Sequence, residues 1–507
     1  MKTLSALIED GLDGARVRIG GAELRRASAF LERSLPVTEA DDADTVVAIL
    51  TNDEASLSVL LSCVVGRVRL VSLPLPGRGQ NLTSYLGLVE TALTQNESNC
   101  VLARSDIAVT LRSGGVNAHD SKDAAGTRRS GRGFELVQYT SGTTSAARAI
   151  CLSDEALGYN VTRLLETLQP TRGDSAVSWL PLSHDMGLIG MFLTTIAAAG
   201  PAWGNQSSLT LFSPEDFLRR PAVWMEAIAQ FEATFTAGPD FGYRRAALQG
   251  TATDLSRLRV AIVGGEIVRA DTLATFAATF RDARFDARAF CPAYGLAEVG
   301  LCATITPPNE HFRTRSYTVG QRAVDLVSSG PPLRGYEILL GGRNEGGAIE
   351  ILTEPNLDCT GITDDGERSR VVTGDRGFFE DGWLYVLGRT DDIAVVNGRK
   401  VYLPAILQAV GEHILVRTGR CVAFDLPTGE LVIVAELRSH DPDGSDGRQD
   451  LSSSIRRRIV AVAGVAPDVV CIVPPSTLPL TASGKLRTRA CREVFLSGEW
   501  ESFCTAS

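Results

Sequence analysis

The run Tyr139-Thr140-Ser141-Gly142-Thr143-Thr144-Ser145 gathers five Ser and Thr hydroxyls around one glycine. It follows directly on the strand-like segment Phe134-Glu135-Leu136-Val137-Gln138. Hydroxyls and free backbone N–H groups placed this way are donors that cradle a phosphate. Gly-Lys-Ser/Thr is missing, so the run is not a Walker A loop. Taken alone, it also reads as a plain Ser/Thr-rich turn. Further on, the strand-like run Leu258–Val263 ends in Gly264-Gly265, and paired glycines allow a close backbone approach. Metal and thiol chemistry have no comparable pattern. None of the ten Cys forms Cys-x-x-Cys, and the five His show no His-Glu-x-x-His. Cys63 in Leu61-Ser62-Cys63-Val64-Val65 and Cys471 in Val470-Cys471-Ile472-Val473 sit singly among apolar residues. That is the pattern of reduced, buried thiols.

Positioning such a loop takes a sizeable fold, and the composition supplies one. The chain has 507 residues, 44% of them hydrophobic, ample for a buried core and roughly two to four domains. A disordered chain would be poorer in apolar residues. Fifty Lys and Arg against sixty Asp and Glu leave a net charge of −10, which argues against non-specific nucleic-acid binding. The N-terminus meets Glu9 and Asp10 too early for a secretory signal. No charge occurs from Met186 through Pro214, but only Met186–Ala199 is strongly apolar. Fourteen residues suit a buried core helix better than a membrane span. A cytoplasmic protein is expected.

Strand and helix patterns alternate along the first part. Thr45–Leu50 reads as a buried strand, Asp53–Val65 as a helix and Val68–Leu75 as a second strand. The segment His119–Gly133 has no apolar periodicity and reads as a loop. Ser178–Pro181, Ala233–Pro239 and Leu258–Gly265 each read as a buried strand ending in Gly or Pro. This rhythm predicts an α/β fold with mostly parallel strands, in which ligands gather at the carboxyl edge. After about Val327 short alternating runs such as Trp383–Leu387 predict antiparallel sheet. From about Asp392 a last unit mixes strands and helices around a polar loop, His440–Asp450.

The hydroxyl loop does not stand alone. Downstream come Tyr294-Gly295-Leu296-Ala297-Glu298, Thr373-Gly374-Asp375, Gly388-Arg389-Thr390-Asp391-Asp392 and Leu478-Pro479-Leu480-Thr481-Ala482-Ser483-Gly484-Lys485-Leu486-Arg487. In order and spacing, the motifs resemble the adenylate-forming superfamily of acyl-CoA synthetases, carrier-protein-loading adenylation domains and luciferases. The resemblance runs from about residue 40 to 495. It implies a large N-terminal domain, residues 1–388, of mostly parallel α/β subdomains plus a β-rich subdomain. A hinge at 389–391 and a small mobile α+β C-terminal domain, 392–507, complete the expected architecture.

The resemblance also implies roles. Thr140, Ser141, Gly142, Thr143 and Thr144 would hold the ATP β- and γ-phosphates. Arg148 keeps a cation where the family has Gly-x-Pro-Lys-Gly, which here reads Ser145-Ala146-Ala147-Arg148-Ala149. Glu298, with Thr143, would bind Mg²⁺. Tyr294 and Gly295 would meet the adenine, which would lie along Gly264, Gly265 and Glu266. Asp375 would accept the ribose hydroxyls, with Arg389 nearby. Lys485 would bridge the substrate carboxylate and the α-phosphate. Asp391 falls at the hinge, about which the small domain would turn to bring Asn397–Lys400 toward an acceptor thiol. His184 would gate the acyl pocket.

Within the superfamily, Ser178-Trp179-Leu180-Pro181-Leu182-Ser183-His184-Asp185-Met186-Gly187-Leu188-Ile189-Gly190 resembles the fatty acyl-AMP ligases. Those ligases carry an insertion before Thr-Gly-Asp that hampers reaction with free CoA; here 11 residues separate Gly361 from Thr373. Met191 stands where they tend to have Gly, which implies a smaller acyl group. The expected activity is ATP-dependent adenylation of a carboxylic acid, followed by transfer to an acyl carrier protein thiol in specialised metabolism. Three alternatives stay open: free CoA as acceptor, a non-carboxylate oxyanion such as nitrite, and a non-catalytic nucleotide-binding module. The altered Ser145–Ala149 stretch motivates the last.

Overall fold

The strand–helix alternation builds two parallel sheets side by side. The computed structural model describes residues 2–31, 45–76, 82–123, 133–140, 148–250, 252, 254–319, 322–341, 346–353, 363–364, 369–389, 392–396, 399–426, 428–439, 444–480 and 486–506. The first sheet has six strands in the order Ala118–Asp120, Val101–Ala103, Thr45–Ala48, Arg69–Ser72, Glu135–Thr140 and Arg148–Ser153. All pair in parallel except the last, which returns antiparallel. The expected helix after the first buried strand is Glu54–Gly66. Asp53 caps it by accepting the Ser56 N–H at 2.9 Å, and Arg67 closes it in the left-handed conformation.

The second sheet has eight strands. Six are parallel, in the order Phe290–Tyr294, Val260–Val263, Phe235–Gly238, Asp174–Ser178, Ser207–Leu211 and Ala15–Ile19. The short strands Thr304–Ile305 and Arg25–Arg26 flank them antiparallel. One continuous apolar core underlies both sheets, and its aromatic part explains two glycines. Trp179 stacks on Phe217 at 3.8 Å and meets Trp224 edge-on. A Cβ at Gly238 would stand 2.6 Å from Trp224, and one at Gly242 would stand 2.9 Å from Trp179. Larger residues would have to displace rigid indoles.

An antiparallel sheet follows, built from Glu337–Gly341, Gly347–Thr353, Ser369–Glu380, Thr363–Asp364 and Trp383–Arg389. Last comes a four-stranded sheet of Val416–Asp425, Leu431–Leu437, Val469–Val473 and Cys504–Ala506. The helices Leu403–Gly411, Gly444–Ala463 and Thr488–Leu496 pack on it around cores separate from the large one. The α/β expectation, with a β-rich region and a mixed α+β end, therefore holds.

Several boundaries differ from the sequence expectation. The strand expected at Ser178–Pro181 is Asp174–Ser178, and Trp179–Pro181 lie beyond its end. The parallel neighbour Ser207–Leu211 stops in register with Ser178, and the other neighbour, Phe235–Gly238, pairs only with Ala176 and Val177. His119 and Asp120 are in a strand, and Ser121–Asp123 form a 3₁₀ turn, where a loop was expected. The antiparallel region expected after about Val327 begins earlier, in the hairpin Thr314–Val319 with Arg322–Val327. Gly444–Asp450, expected within a polar loop, open a helix. Met186–Ala199 is buried and helical as expected, but Met186–Leu193 is wound as a π-helix. Gly187 lets it lie on the Pro181 carbonyl, which a Cβ would approach to 2.3 Å. Among the described residues no helix is long and apolar enough to cross a membrane.

The thiols need one correction. Cys471 and Cys504 are disulfide-bonded, facing each other across antiparallel strands. Thirty-three residues separate them, so strand pairing and not local spacing brings them together. Cys63, Cys291, Cys302, Cys421 and Cys491 fit the expectation: burial pushes each thiol up to about 12. They are inert at neutral pH.

Candidate active site

Five of the parallel strands in the second sheet end on one edge, and three of them end in residues singled out above or run into them. Strand Asp174–Ser178 leads to His184, Phe235–Gly238 to Asp240, Val260–Val263 to Gly264–Glu266, and Phe290–Tyr294 ends at Tyr294 itself. The fifth, Ser207–Leu211, leads to Phe212. The carboxyl edge of a parallel sheet is where an open α/β fold binds ligands.

Three residues far apart in sequence meet there. The Tyr294 hydroxyl donates to Asp375 Oδ2 at 2.7 Å, and Arg389 Nε stands 3.6 Å from Asp375 Oδ1. Burial raises the Asp375 carboxyl above its ordinary value, although Tyr294 and Arg389 both pull it down. Burial also raises the Tyr294 phenol, and the Asp375 charge adds to this, so Tyr294 remains a donor. The result is a half-buried carboxylate with one oxygen on a phenol and the other toward a guanidinium.

Irregular pairing aims Asp375 at this point. On one side Glu350 faces Val372 and Ala348 faces Arg376, so Ile349 alone spans Thr373, Gly374 and Asp375. The Thr373 hydroxyl donates to the Ile349 carbonyl at 2.8 Å and accepts the Asp375 N–H at 3.0 Å, while Gly374 has φ +75°. On the other side Leu387 is the extra residue between the pairs Arg376–Gly388 and Gly377–Val386. Bulges of this kind bend a strand and redirect a side chain. The next turn is closed by Asp392, whose Oδ2 accepts the Arg389 N–H at 2.7 Å. A Cβ at Gly388 would meet that same oxygen at 2.7 Å, and Gly388 has φ +127°.

Gly264 and Gly265 form the neighbouring strand end. A Cβ at Gly264 would stand 2.9 Å from the Ala293 carbonyl oxygen, and Gly265 has φ +75°. Glu266 then reaches across to accept the Phe241 N–H at 2.6 Å, capping the helix Asp240–Gln249. Asp240 answers in the other direction, accepting the Arg269 N–H at 2.9 Å and the Thr272 hydroxyl at 3.0 Å. Its carboxyl is pushed up to about 6, first by burial and then by the Glu266 charge, against the Arg244 guanidinium at 3.9 Å.

Glu298 lies in the 3₁₀ turn Ala297–Val299, half-buried, and that turn packs on strand Arg148–Ser153. The backbones of Thr140 and Arg148 pair directly across the first sheet, at the mouth of the hydroxyl loop. Ser141, Gly142, Thr143, Thr144, Asp391 and Lys485 lie outside the described residues. His184 is half-exposed, its Nδ1 2.5 Å from Asp185 Oδ1, and Asp185 also caps the π-helix. A cavity of about 480 Å³, beside Gly20, Phe212 and Arg220, shares only Phe212 with this edge.

Asn52 was missed in the sequence. It is buried just after strand Thr45–Ala48 of the first sheet. Its side chain donates to the carbonyls of Leu180 and Phe212, at 3.0 and 2.7 Å, and accepts the Leu182 N–H at 3.0 Å. It thus clamps the segment leading to His184 onto the first sheet. A polar residue just past a predicted parallel strand is the signal that could have marked it.

Residues 84–349 match the family described as AMP-binding enzyme. A protein of Caulobacter vibrioides named a putative acyl-CoA synthetase is 26% identical over 529 residues, 94% of this chain and 90% of that protein. The medium-chain-fatty-acid–[acyl-carrier-protein] ligase JamA of Moorena producens is 27% identical over 417 residues, 72% of this chain and 69% of JamA. One solved structure comes from a study of fatty acyl-adenylate ligases of E. coli and L. pneumophila. It superposes with a TM-score of 0.86 at 22% identity, covering 98% of each chain.

Proposed function

Because the chain belongs to the AMP-binding enzyme family and is an adenylate-forming enzyme, we propose that it activates a carboxylic acid with ATP and passes the acyl group to the thiol of an acyl carrier protein. The observation that carries the reading is the meeting of Tyr294, Asp375 and Arg389 beside Gly264-Gly265. A half-buried carboxylate among donors suits ribose hydroxyls, and a tyrosine face beside paired glycines suits a flat adenine. The substrate carboxylate attacks the α-phosphorus, an O–P bond forms, and the bond to pyrophosphate breaks. Charge gathers on the phosphoryl oxygens, where Lys485 and the hydroxyls of Thr140, Ser141, Thr143 and Thr144 are the stabilising groups in this reading.

Magnesium fits the donor set. Among the described residues no three side chains form a metal cage, and Mg²⁺ beside ATP is usually held by one or two carboxylates plus phosphates. In this reading Glu298 is the carboxylate and Thr143 the hydroxyl that would hold the ion, which would neutralise phosphate charge. After adenylation the C-terminal unit turns about Asp391, withdrawing Lys485 and presenting Asn397–Lys400 to the acceptor. By its side-chain volume, where fatty acyl-AMP ligases tend to have Gly, Met191 favours an acyl group shorter than a long fatty chain. The carrier-protein acceptor draws support from JamA, and the proposed setting is cytoplasmic specialised metabolism.

A second reading, free CoA as acceptor, is favoured by the 11 residues between Gly361 and Thr373 and by the name of the Caulobacter relative. The test is ATP–pyrophosphate exchange over short, medium, long-chain and aryl acids plus nitrite, with Lys485→Ala as the blank. Exchange with one acid class, lost in the blank, is the expected result. Silence with every acid would refute acid activation. Products formed with holo carrier protein or with CoA then decide the acceptor.

A further inference from the structure

The loop that carries Tyr294, Gly295 and Glu298 is held from behind by a buried pair of side chains. Asn160, on the helix Asp154–Leu168, is fully buried. Its Nδ2 donates to the Cys302 carbonyl and to the Tyr336 hydroxyl, both at 2.7 Å, and its Oδ1 accepts the Cys302 N–H at 3.3 Å. The Tyr336 hydroxyl in turn donates to the Val299 carbonyl at 3.4 Å. One amide thus satisfies both polar groups of a single residue, which only a side chain with a donor and an acceptor can do.

The loop has no slack around this clamp. Gly300 has φ +90°, and a Cβ there would stand 3.0 Å from the Asn160 Cβ. A Cβ at Gly295 would fall 2.0 Å from the Leu301 carbonyl oxygen. The Ala303 N–H closes the loop on the Tyr294 carbonyl at 2.9 Å. Glu298 sits between these fixed points.

The helix that bears Asn160 begins where strand Arg148–Ser153 ends, and that strand returns from the hydroxyl loop. Asn160 therefore joins the phosphate side of the first sheet to the Glu298 loop of the second. We propose that Asn160, backed by Tyr336, is a positioning residue that sets Glu298 against the phosphate end of the nucleotide, so that magnesium and ATP tighten each other's binding. It touches neither. The inference rests on the reading of Glu298 as the carboxylate that meets magnesium.

The test is calorimetry on the full chain with a non-hydrolysable ATP analogue, with and without Mg²⁺. The readout is the ratio of the two dissociation constants. Tyr336→Phe removes one hydroxyl and should lower the ratio about threefold. Asn160→Asp sets a carboxylate oxygen against the Cys302 carbonyl and should lower it about tenfold, the scale typical of groups that support a metal ligand. Affinity without Mg²⁺ should stay within about twofold in both, and excess Mg²⁺ should restore exchange activity, which a merely unfolded fraction would not allow. If Asn160→Asp does not fold, Tyr336→Phe decides. A ratio lost in Glu298→Gln but unchanged in the folded variants overturns the positioning role alone. A ratio that survives Glu298→Gln overturns the reading of Glu298 and this inference with it.

Discussion

Replacing Asp240 by Asn should stabilise the protein at neutral pH and leave it unchanged in acid. Asp240 is 2% exposed, and its carboxyl is pushed from the ordinary 3.8 up to about 6. The groups around it are the Arg269 N–H, the Thr272 hydroxyl, the Arg244 guanidinium and the Glu266 carboxylate. Donors and Arg244 favour the charged form, but burial and Glu266 outweigh them. Between the two pKa values the folded chain holds a proton that the unfolded chain has lost, so stability falls as pH rises. The penalty is ~0.6 kcal/mol at pH 4 and levels off near ~3 kcal/mol above pH 7, at 1.36 kcal/mol per tenfold. In Asp240→Asn the amide keeps an acceptor for the Arg269 N–H and can donate to Thr272, whose hydroxyl also accepts. Urea unfolding midpoints at pH 4 and pH 7.5 lie on either side of the pI near 5.2 and avoid precipitation. The expected gain appears at pH 7.5 and nearly vanishes at pH 4. An equal difference at both pH values, or a loss at pH 7.5, would refute the assignment of burial as the dominant force on this group.

Tyr294→Phe removes a hydrogen bond to a charged group, a loss of ~1.5–3 kcal/mol of folding stability, and by releasing Asp375 should raise the KM for ATP; an unchanged KM would separate Asp375 from nucleotide binding. Asp391→Pro should impair acyl transfer more than ATP–pyrophosphate exchange, and equal loss of both would count against a hinge there. Met191→Gly should shift the preferred acid toward longer chains in the exchange panel, with no shift if Met191 packs away from the acyl group.

How far the amino-acid order alone reaches can be seen by comparing particular elements. Short apolar runs, two of them closed by Gly or Pro, were enough to place Thr45–Ala48, Phe235–Gly238 and Val260–Val263 to within a few residues, because strand burial on both faces is written into local composition. The antiparallel texture of Trp383–Arg389 was legible from a different signal, short alternating runs. The candidate site was read as five ordered motifs, of which Tyr139–Ser145 and Tyr294–Glu298 lie within the residues 84–349 that match the family. What sequence could not supply was any distance between motifs.

Tertiary structure alone decided those meetings. Tyr294 and Asp375 are separated by 81 positions, and their contact exists because two sheets adjoin and a bulge turns Asp375 inward. Within the π-wound Met186–Leu193, Gly187 rests on the carbonyl of Pro181, a contact made by the packing of the chain. The Cys471–Cys504 bond follows from strand pairing across 33 residues. Asn52 and Asn160 carry no motif at all; each is a single amide whose importance lies in the backbone groups it meets, 128 and 142 residues away. Local pattern fixes which face a residue turns to the core, since helix and strand periods are short. Which distant peptide a buried amide must satisfy is set by how the layers pack, and no spacing along the chain encodes it.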